Sequence, residues 1–147
     1  MRTLFIAILG TLLVSCNEPL SMIPGGKLAG DTLAAPVAWT DVPETIQVET
    51  RPSDPYSINI WGVGIEQNLY IATGPDGTTW SVFIEDNPDV RVRMGNSVYE
   101  LLAMSVTDST ERSVVTSAYV DKYDLDREDN WVKTGLIFRL DRRTVTP

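Results

Sequence analysis

The residues from Asn68 to Tyr99 constrain the fold more than any other stretch of this sequence. They contain, in order, a strand pattern, a glycine-containing loop, one short helix and a tight hairpin turn. Trp80, Phe83 and Ile84 are spaced as neighbours on one helical face, and Asn87-Pro88 ends the helix. Alternation of apolar and polar residues resumes directly afterwards, as expected for a strand. This order predicts the middle of a small β-barrel.

Segments on both sides of this stretch predict further strands and one longer helix. Residues 45–51 and 57–65 alternate with a period of two before it, and residues 97–106 and 134–141 do so after it. Asp108 and Glu111 form a capping-box pattern that starts a helix ending near residue 123. The sequence therefore predicts a mainly β (α+β) fold with six strands, one short helix and one longer helix.

Two features of the first half indicate how the interior is filled. Trp39 precedes a turn signal and is predicted to plug the core rather than to stack on a ligand. Gly62 and Gly64 remove side chains from one face of a strand, which permits either strong curvature or close approach of another group. Curvature is the interpretation that the pattern favours.

Charge and composition exclude several classes of function. The formal net charge is −8, and an acidic surface repels phosphate backbones, so no nucleic acid is expected as a partner. The chain has no histidine and a single cysteine, Cys16, so no Ser-His-Asp triad, Cys-His pair or histidine zinc site can form. The acidic residues 124–130 lack the order of a calcium loop, so a solvated loop is favoured over a cation site and no metal is predicted.

The N-terminus has the features of an export signal. Arg2 precedes an uncharged run from Leu4 to Val14, which is shorter than the ~20 residues that a membrane helix needs. The run closes with Leu13-Val14-Ser15-Cys16, which resembles the lipobox of bacterial lipoproteins. An ordinary secretory signal with a coincidental cysteine is the alternative.

The lipobox resemblance implies cleavage before Cys16 and acylation of that residue, for example with palmitate, so the lipid bilayer is the expected partner. We therefore expect a signal peptide over residues 1–15, a lipidated cysteine and flexible tether over residues 16–30, and one barrel domain over residues 31–147. Asn17 stands where the inner-membrane retention signal has Asp, which indicates a periplasm-facing protein of the bacterial cell envelope on the outer membrane.

Two groups of residues could hold an anion. Gly74, Gly77, Thr78 and Thr79 surround the predicted start of the short helix, where backbone N–H groups form a cradle for negative charge. A solvated loop with an ordinary helix cap is the competing interpretation. Arg91-Val92-Arg93 places two arginines away from the core face, either as surface charges or as a paired anion clamp.

The order of elements resembles the flavin- and deazaflavin-binding split β-barrels related to pyridoxamine-phosphate oxidase, in particular deazaflavin-dependent nitroreductases. The residues that carry the resemblance are short motifs within residues 45–125: Glu49-Thr50-Arg51, Leu69-Tyr70, Trp80, Asn87-Pro88, Val90, Val92, Ala118-Tyr119 and Lys122-Tyr123. The resemblance implies a small six-stranded antiparallel split β-barrel that binds a flavin or deazaflavin. It also implies a homodimer, which is common in that superfamily.

The resemblance implies that the cofactor phosphate is held after the first strand and before the short helix. The matching positions are Arg51, Ser53, Thr78 and Thr79, and we expect Trp61 and Trp80 to stack on the planar ring. No catalytic residue is assigned, and enzymatic activity stays open. Two functions follow: a lipid-anchored barrel that binds a flavin-like or other small anionic or planar ligand, or a non-catalytic envelope interaction protein that keeps the fold without a cofactor.

Overall fold

A computed structural model describes residues 18–143 of the chain. The predicted signal peptide and Cys16 lie outside the described residues. The described part contains these elements in order: β1 (Asp31–Leu33), β2 (Thr45–Thr50), β3 (Tyr56–Ile65), β4 (Asn68–Thr73), α1 (Thr79–Asp86), β5 (Asp89–Met94), β6 (Ser97–Ser105), α2 (Ser109–Tyr123), α3 (Trp131–Thr134) and β7 (Leu136–Arg142). No helix within residues 18–143 is both long and apolar enough to cross a membrane.

Six of the strands close into the predicted antiparallel barrel. Their order around the barrel is β2-β3-β4-β7-β6-β5, and pairing of β5 with β2 completes the circle. The mainly β split barrel is thus confirmed. Strand β1, which the sequence pattern does not predict, adds in parallel to the beginning of β6, with Asp31 opposite Ser97.

Apolar side chains of alternate strand positions fill the barrel, and Trp39 closes one end of it. Trp39 is only 5% exposed, and its ring packs edge to face against Tyr99 with the ring centroids 5.1 Å apart. Its amide donates to the Glu66 carbonyl at 2.8 Å, which fixes the plug to the β3–β4 turn. The predicted role of Trp39 in the core is confirmed.

Close packing, rather than curvature alone, explains the glycines of β3. A Cβ atom on Gly64 would lie 1.9 Å from the carbonyl oxygen of Trp39, and one on Gly62 would lie 2.8 Å from the Ile46 side chain. A real side chain at Gly64 would overlap backbone, which cannot move aside easily. At Gly64 the structure therefore favours the alternative interpretation, close approach of another group, over curvature.

Helices α2 and α3 cover the outer face of β3, β4 and β7. This second apolar cluster consists of Val63, Tyr70, Ala72, Val106, Val115, Tyr119, Val132 and Ile137. Helix α3 occupies Thr134, the residue at which the sequence pattern started the last strand. Gly135 caps the end of α3, and no side chain fits there because a Cβ would lie 2.0 Å from the Thr73 carbonyl oxygen. The last strand accordingly starts at Leu136.

Residues 18–30, which we call the N-terminal loop, lie across the outer face of β5, β2 and β3. Glu18, the first residue of the loop, pairs with Arg93 on β5. The carbonyl oxygen of the next residue, Pro19, accepts a hydrogen bond of 3.2 Å from the Asn59 side chain on β3. Gln47 of β2 lies between these two strands, opposite both Arg93 and Asn59. The first two residues of the loop therefore cross the width of three strands.

The N-terminal loop returns along the neighbouring row of residues. Gly25 and Ser57 exchange two backbone hydrogen bonds of 2.8 and 2.9 Å on β3. The Leu28 amide then donates to the Glu49 carboxylate on β2 at 2.6 Å, and Leu28 is 1% exposed. The segment expected to be a flexible tether therefore packs on the barrel over its described part, residues 18–30. The boundary at residue 30 itself stays a prediction.

Arg91 and Arg93 hold this loop and do not form a clamp for an external anion. Arg91 donates to the Glu49 carboxylate at 2.8 Å and to the Leu28 carbonyl at 3.1 Å. Arg93 pairs with Glu18 and also reaches the Ala29 carbonyl at 3.1 Å. Both side chains point away from the core, as predicted, but their charges are used within the chain.

Candidate functional site

Helix α1 closes the end of the barrel opposite Trp39, and this placement buries the Trp80 side chain. The helix joins the end of β4 to the start of β5, so its apolar face turns into the barrel. Trp80 is 6% exposed and packs against Phe138 with the ring centroids 5.8 Å apart. The prediction that Trp80 stacks on a ligand is wrong in this structure, because its ring is covered by the core.

Thr78 and Thr79 lie at the exposed start of α1. The amide of Thr78 donates to the Ser81 hydroxyl at 2.9 Å, and that hydroxyl donates to the Thr78 carbonyl at 2.8 Å. Gly77 has φ = 69°, which a residue without Cβ adopts easily, and its amide closes a turn onto Gly74. Ser81, which sequence reasoning did not single out, therefore satisfies the Thr78 amide counted in the predicted anion cradle.

Arg51 and Ser53 lie beside the middle of α1. Arg51 donates to the Asp54 carbonyl at 2.7 Å, pairs with its carboxylate at 2.9 Å, and covers the Phe83 ring at 4.3 Å from the centroid. Phe83 is one helical turn along α1 from Thr79, so Arg51 and the two threonines share this end of the barrel. Ser53 is exposed in the same loop. The structure thus groups four of the six predicted ligand-binding residues, with Asp54 already neutralising Arg51.

Trp61 lies elsewhere, on the outer face of β3. Thr45 pairs with Trp61 and Thr50 pairs with Tyr56, so Trp61 is about 17 Å along the strand from the Arg51 end. The Trp61 side chain is 37% exposed and stacks on Tyr123 with centroids 4.3 Å apart and planes at 5°. One face of the indole is therefore covered, and the six predicted residues do not form a single site.

A groove of about 430 Å³ borders Trp61. Its lining residues are Ser21, Thr45, Asn59, Ile60, Trp61 and Trp131. This volume is within the roughly 300–1,000 Å³ typical of small-molecule sites. The lining offers two indole rings and a few uncharged polar groups, which suits a flat, largely apolar molecule.

A ladder of aromatic rings from α2 and α3 supports the groove. Tyr119 lies between Tyr123 and Trp131, with ring centroids 5.5 and 5.7 Å away, and its hydroxyl donates to the Trp61 carbonyl at 3.0 Å. Burial raises the pKa of Tyr119. The sequence analysis named Tyr119 and Tyr123 among the motifs of the family resemblance but did not find Trp131. The spacing of the two tyrosines at i and i+4 is the signal that places them on one face.

Lys122 and Tyr123 anchor this ladder to the barrel. The Lys122 ammonium donates to the carbonyls of Val42, Pro43 and Gly62 at 2.9, 2.8 and 2.7 Å. The Tyr123 hydroxyl accepts from the Gly62 amide at 3.0 Å. Burial lowers the pKa of Lys122 and raises the pKa of Tyr123. These contacts fix the ring on which Trp61 stacks.

The acidic loop between α2 and α3 is organised by its own backbone. The Asp126 carboxylate accepts from the amides of Glu128 and Asp129, both at 2.8 Å, and these bonds lower the pKa of Asp126. Within residues 18–143, no group of three or more His, Cys, Asp or Glu side chains is placed to hold a metal ion.

Comparison with solved structures supports the split-barrel fold. The chain is similar to an F420-H2-dependent reductase, with a TM-score of 0.55 and 17% identity over 67% of this chain and 94% of the other. It is similar to an FAD-binding protein from Mesorhizobium loti, with a TM-score of 0.53 and 14% identity over 70% and 83% of the chains.

A third similar structure is HutZ, the heme storage protein from Vibrio cholerae, with a TM-score of 0.55 and 13% identity over 69% of this chain and 82% of the other. At these identities the likeness establishes the fold and leaves the ligand undefined. The sequence matches no protein-family model and no curated protein.

The six residues predicted to hold a flavin nucleotide do not lie at one site. A nucleotide needs its ring and its phosphate held together, but Trp61 and the Arg51 end are about 17 Å apart along β3. The cation at the Arg51 end is already paired with Asp54. The groove beside Trp61 fits the planar ring alone.

Proposed function

We propose that this chain is a lipid-anchored envelope protein whose split barrel binds a small planar ligand in the groove beside Trp61. The observation that carries the proposal is the indole of Trp61, stacked on one face by Tyr123 and exposed at the groove. Aromatic side chains fixed in this way present flat area without further ordering of the chain. The ligands that the names of these similar structures give, FAD, F420 and heme, each contain a planar ring system.

The lipid anchor is the second part of the proposal. Cys16 at the end of the lipobox would carry the acyl chains, and several chains together give stable attachment to a membrane. Asn17 supports sorting to the outer membrane, with the barrel facing the periplasm. Mass spectrometry of the protein purified from bacterial membranes tests this part directly, because acylation adds lipid mass to the peptide that starts at Cys16.

Titration of tryptophan emission with riboflavin and with FMN tests the ligand part. The two compounds share one ring system and differ by a phosphate, so equal quenching is expected from a groove without a phosphate clamp. Trp61→Leu should abolish the quenching, whereas Arg51→Ala should leave it unchanged. Absence of quenching by either compound, or full quenching in Trp61→Leu, would overturn the proposed ligand site.

A non-catalytic interaction protein is the second candidate, and a specific observation favours it. The side chains that the family resemblance assigns to the ligand are used internally, because Arg51 is bound to Asp54 and Trp80 is buried in the core. This candidate predicts that no planar compound binds while the protein remains folded and membrane-attached. The same titration therefore separates the two candidates.

A further inference from the structure

The tip of the N-terminal loop is the most exposed apolar cluster near the start of the described chain. Leu20, Met22 and Ile23 are 57%, 92% and 62% exposed, respectively. A hydrogen bond of 3.0 Å from the Leu20 amide to the Ile23 carbonyl closes the turn that presents them. Clusters of exposed apolar side chains are typical of surfaces that contact a partner protein, a ligand or a membrane.

The barrel fixes the position of this tip. Residues on both sides of it are bonded to β3, Pro19 to Asn59 before the turn and Gly25 to Ser57 after it. Glu18 is paired with Arg93, and Leu28 is buried. The tip therefore projects from the outer face of β3 at a set angle, instead of moving on a long linker.

The charge of the loop suits a lipid surface, although the whole chain is acidic. Residues 19–30 contain no acidic side chain, and Lys27 is their single charged residue. The formal net charge of the full chain is −8. The one acidic side chain of the N-terminal loop, Glu18, is paired with Arg93, so residues 19–30 carry no group that an anionic membrane would repel.

Cys16 precedes Glu18 by only two residues, which can span at most about 7 Å. We propose that the barrel docks directly on the bilayer through Leu20, Met22 and Ile23, in one orientation set by the N-terminal loop. The proposal rests on the lipid anchor proposed above, because acyl chains on Cys16 would enter the membrane next to this tip. The three apolar side chains of the tip would then lie in the acyl region of the lipid.

Docking in this orientation also places the groove at the membrane surface. Ser21, at the tip, lines the groove together with Trp61 and Trp131. Indole rings are enriched at the boundary between lipid headgroups and acyl chains. A planar ligand in the groove would therefore enter from, or next to, the lipid phase.

Oxidation of methionines in the membrane-bound protein tests the docking. The mature chain, coupled through Cys16 to maleimide lipid in phosphatidylcholine vesicles, is treated with chloramine T, and sulfoxide is measured at each methionine by mass spectrometry. Chemical coupling makes the result independent of acylation in the cell. We expect Met22 to be protected several-fold relative to the uncoupled protein, and Met104, which is 43% exposed on β6, to be unchanged.

A matched pair of double variants identifies the cause of the protection. Leu20→Glu with Ile23→Glu should abolish protection of Met22, because two charges oppose entry into the acyl region. Val82→Glu with Val114→Glu adds the same charge at similarly exposed helix positions and should leave protection intact.

Three results would overturn the docking. They are equal oxidation of Met22 in coupled and uncoupled protein, equal protection of Met104, and protection of Met22 in concentrated protein without vesicles. The last result would indicate a second copy of the chain as the occupant. If Met22 is unprotected in the coupled protein, the docking is overturned and the lipid anchor is not affected. Failure of the lipid anchor would appear only in the mass of the Cys16 peptide from cells.

Discussion

The Glu49 carboxylate accepts from Arg91 across the β2–β5 pair at 2.8 Å, with the Leu28 amide donating to the same oxygen at 2.6 Å. Glu49 is 4% exposed, although its side chain lies on the outer face of the barrel. Leu28 of the N-terminal loop covers the pair and excludes water from it. The N-terminal loop therefore buries an ion pair that would otherwise be exposed on the outer face of the barrel.

Arg91→Met should lower the free energy of unfolding by about 3–5 kcal/mol, because it leaves the Glu49 carboxylate buried without its partner. Arg127→Met breaks the pair of Arg127 with Asp121, which is exposed on both sides, and should cost no more than about 1 kcal/mol. Urea denaturation of both variants measures the difference. Equal losses in the two variants would contradict burial of the Glu49–Arg91 pair.

Gly64→Ala should destabilise the barrel by about 1–3 kcal/mol or more, since the new methyl group would overlap the Trp39 carbonyl. Gly74→Ala is the matched control, because a Cβ atom there has no neighbour within 4 Å and its φ is not in the left-handed region. Thermal unfolding followed by circular dichroism compares them. A Gly64→Ala protein as stable as the control would show that Trp39 does not lie against β3.

Lys122→Met should lower stability by about 1–3 kcal/mol, because the carbonyls of Val42, Pro43 and Gly62 lose a charged donor. Lys133→Met removes an exposed ammonium, 3.4 Å from the Glu128 carbonyl, and should change stability by less than about 0.5 kcal/mol. The same loss of charge thus has different effects at the two sites. Chemical denaturation measures both changes, provided that the unfolding free energy depends on denaturant concentration with the same slope in the two variants.

Tyr70 makes the stability depend on alkaline pH. Burial, and then the hydrogen bond to Glu111 at 3.0 Å, raise the pKa of Tyr70 from 10.0 to about 12. Because the folded state holds this proton more tightly than the unfolded state, the stabilisation is fully present below pH 10 and is lost as the pH rises from 10 to 12.

Tyrosinate absorbance in wild type and Tyr70→Phe tests that assignment. The wild type should show a transition near pH 12 that is missing in Tyr70→Phe, provided that circular dichroism still reports native structure. If Tyr70 titrated with the ordinary tyrosine pKa of 10.0 while the protein was still folded, the buried contact with Glu111 would be refuted.

Most of the secondary structure could be predicted because its signals are local. Alternation places Ile46 and Val48 inside the barrel, and the i, i+3, i+4 spacing places Trp80 and Ile84 on the buried face of α1. Strand β1 was missed because its three residues pair with β6, far away in the sequence. Helix α3 was missed because its four residues are too few to show a period.

The candidate site could be predicted only in part, because its geometry depends on distant contacts. Arg51, Thr78 and Thr79 do lie at one end of the barrel, because they flank elements that meet there, but their role in holding a ligand stays a prediction. Trp61 was placed with them wrongly, because the distance along β3 matters only once the register with β2 is known. Trp131 reaches the groove through α3, which has no clear local signal.

Local signals were enough to predict the order of the six barrel strands and the two longer helices, to exclude sites that need histidine, and to raise the expectation of a lipid anchor at Cys16. These follow from periodicity, composition and a short motif, which depend on neighbouring residues only. Contacts between distant segments bury Trp80 in the core, engage Arg91 and Arg93 with the N-terminal loop, and place Trp61 at a groove lined by Ser21. Those outcomes depend on which residues the closing barrel brings together, because burial and pairing are set by contacts between segments far apart in the chain.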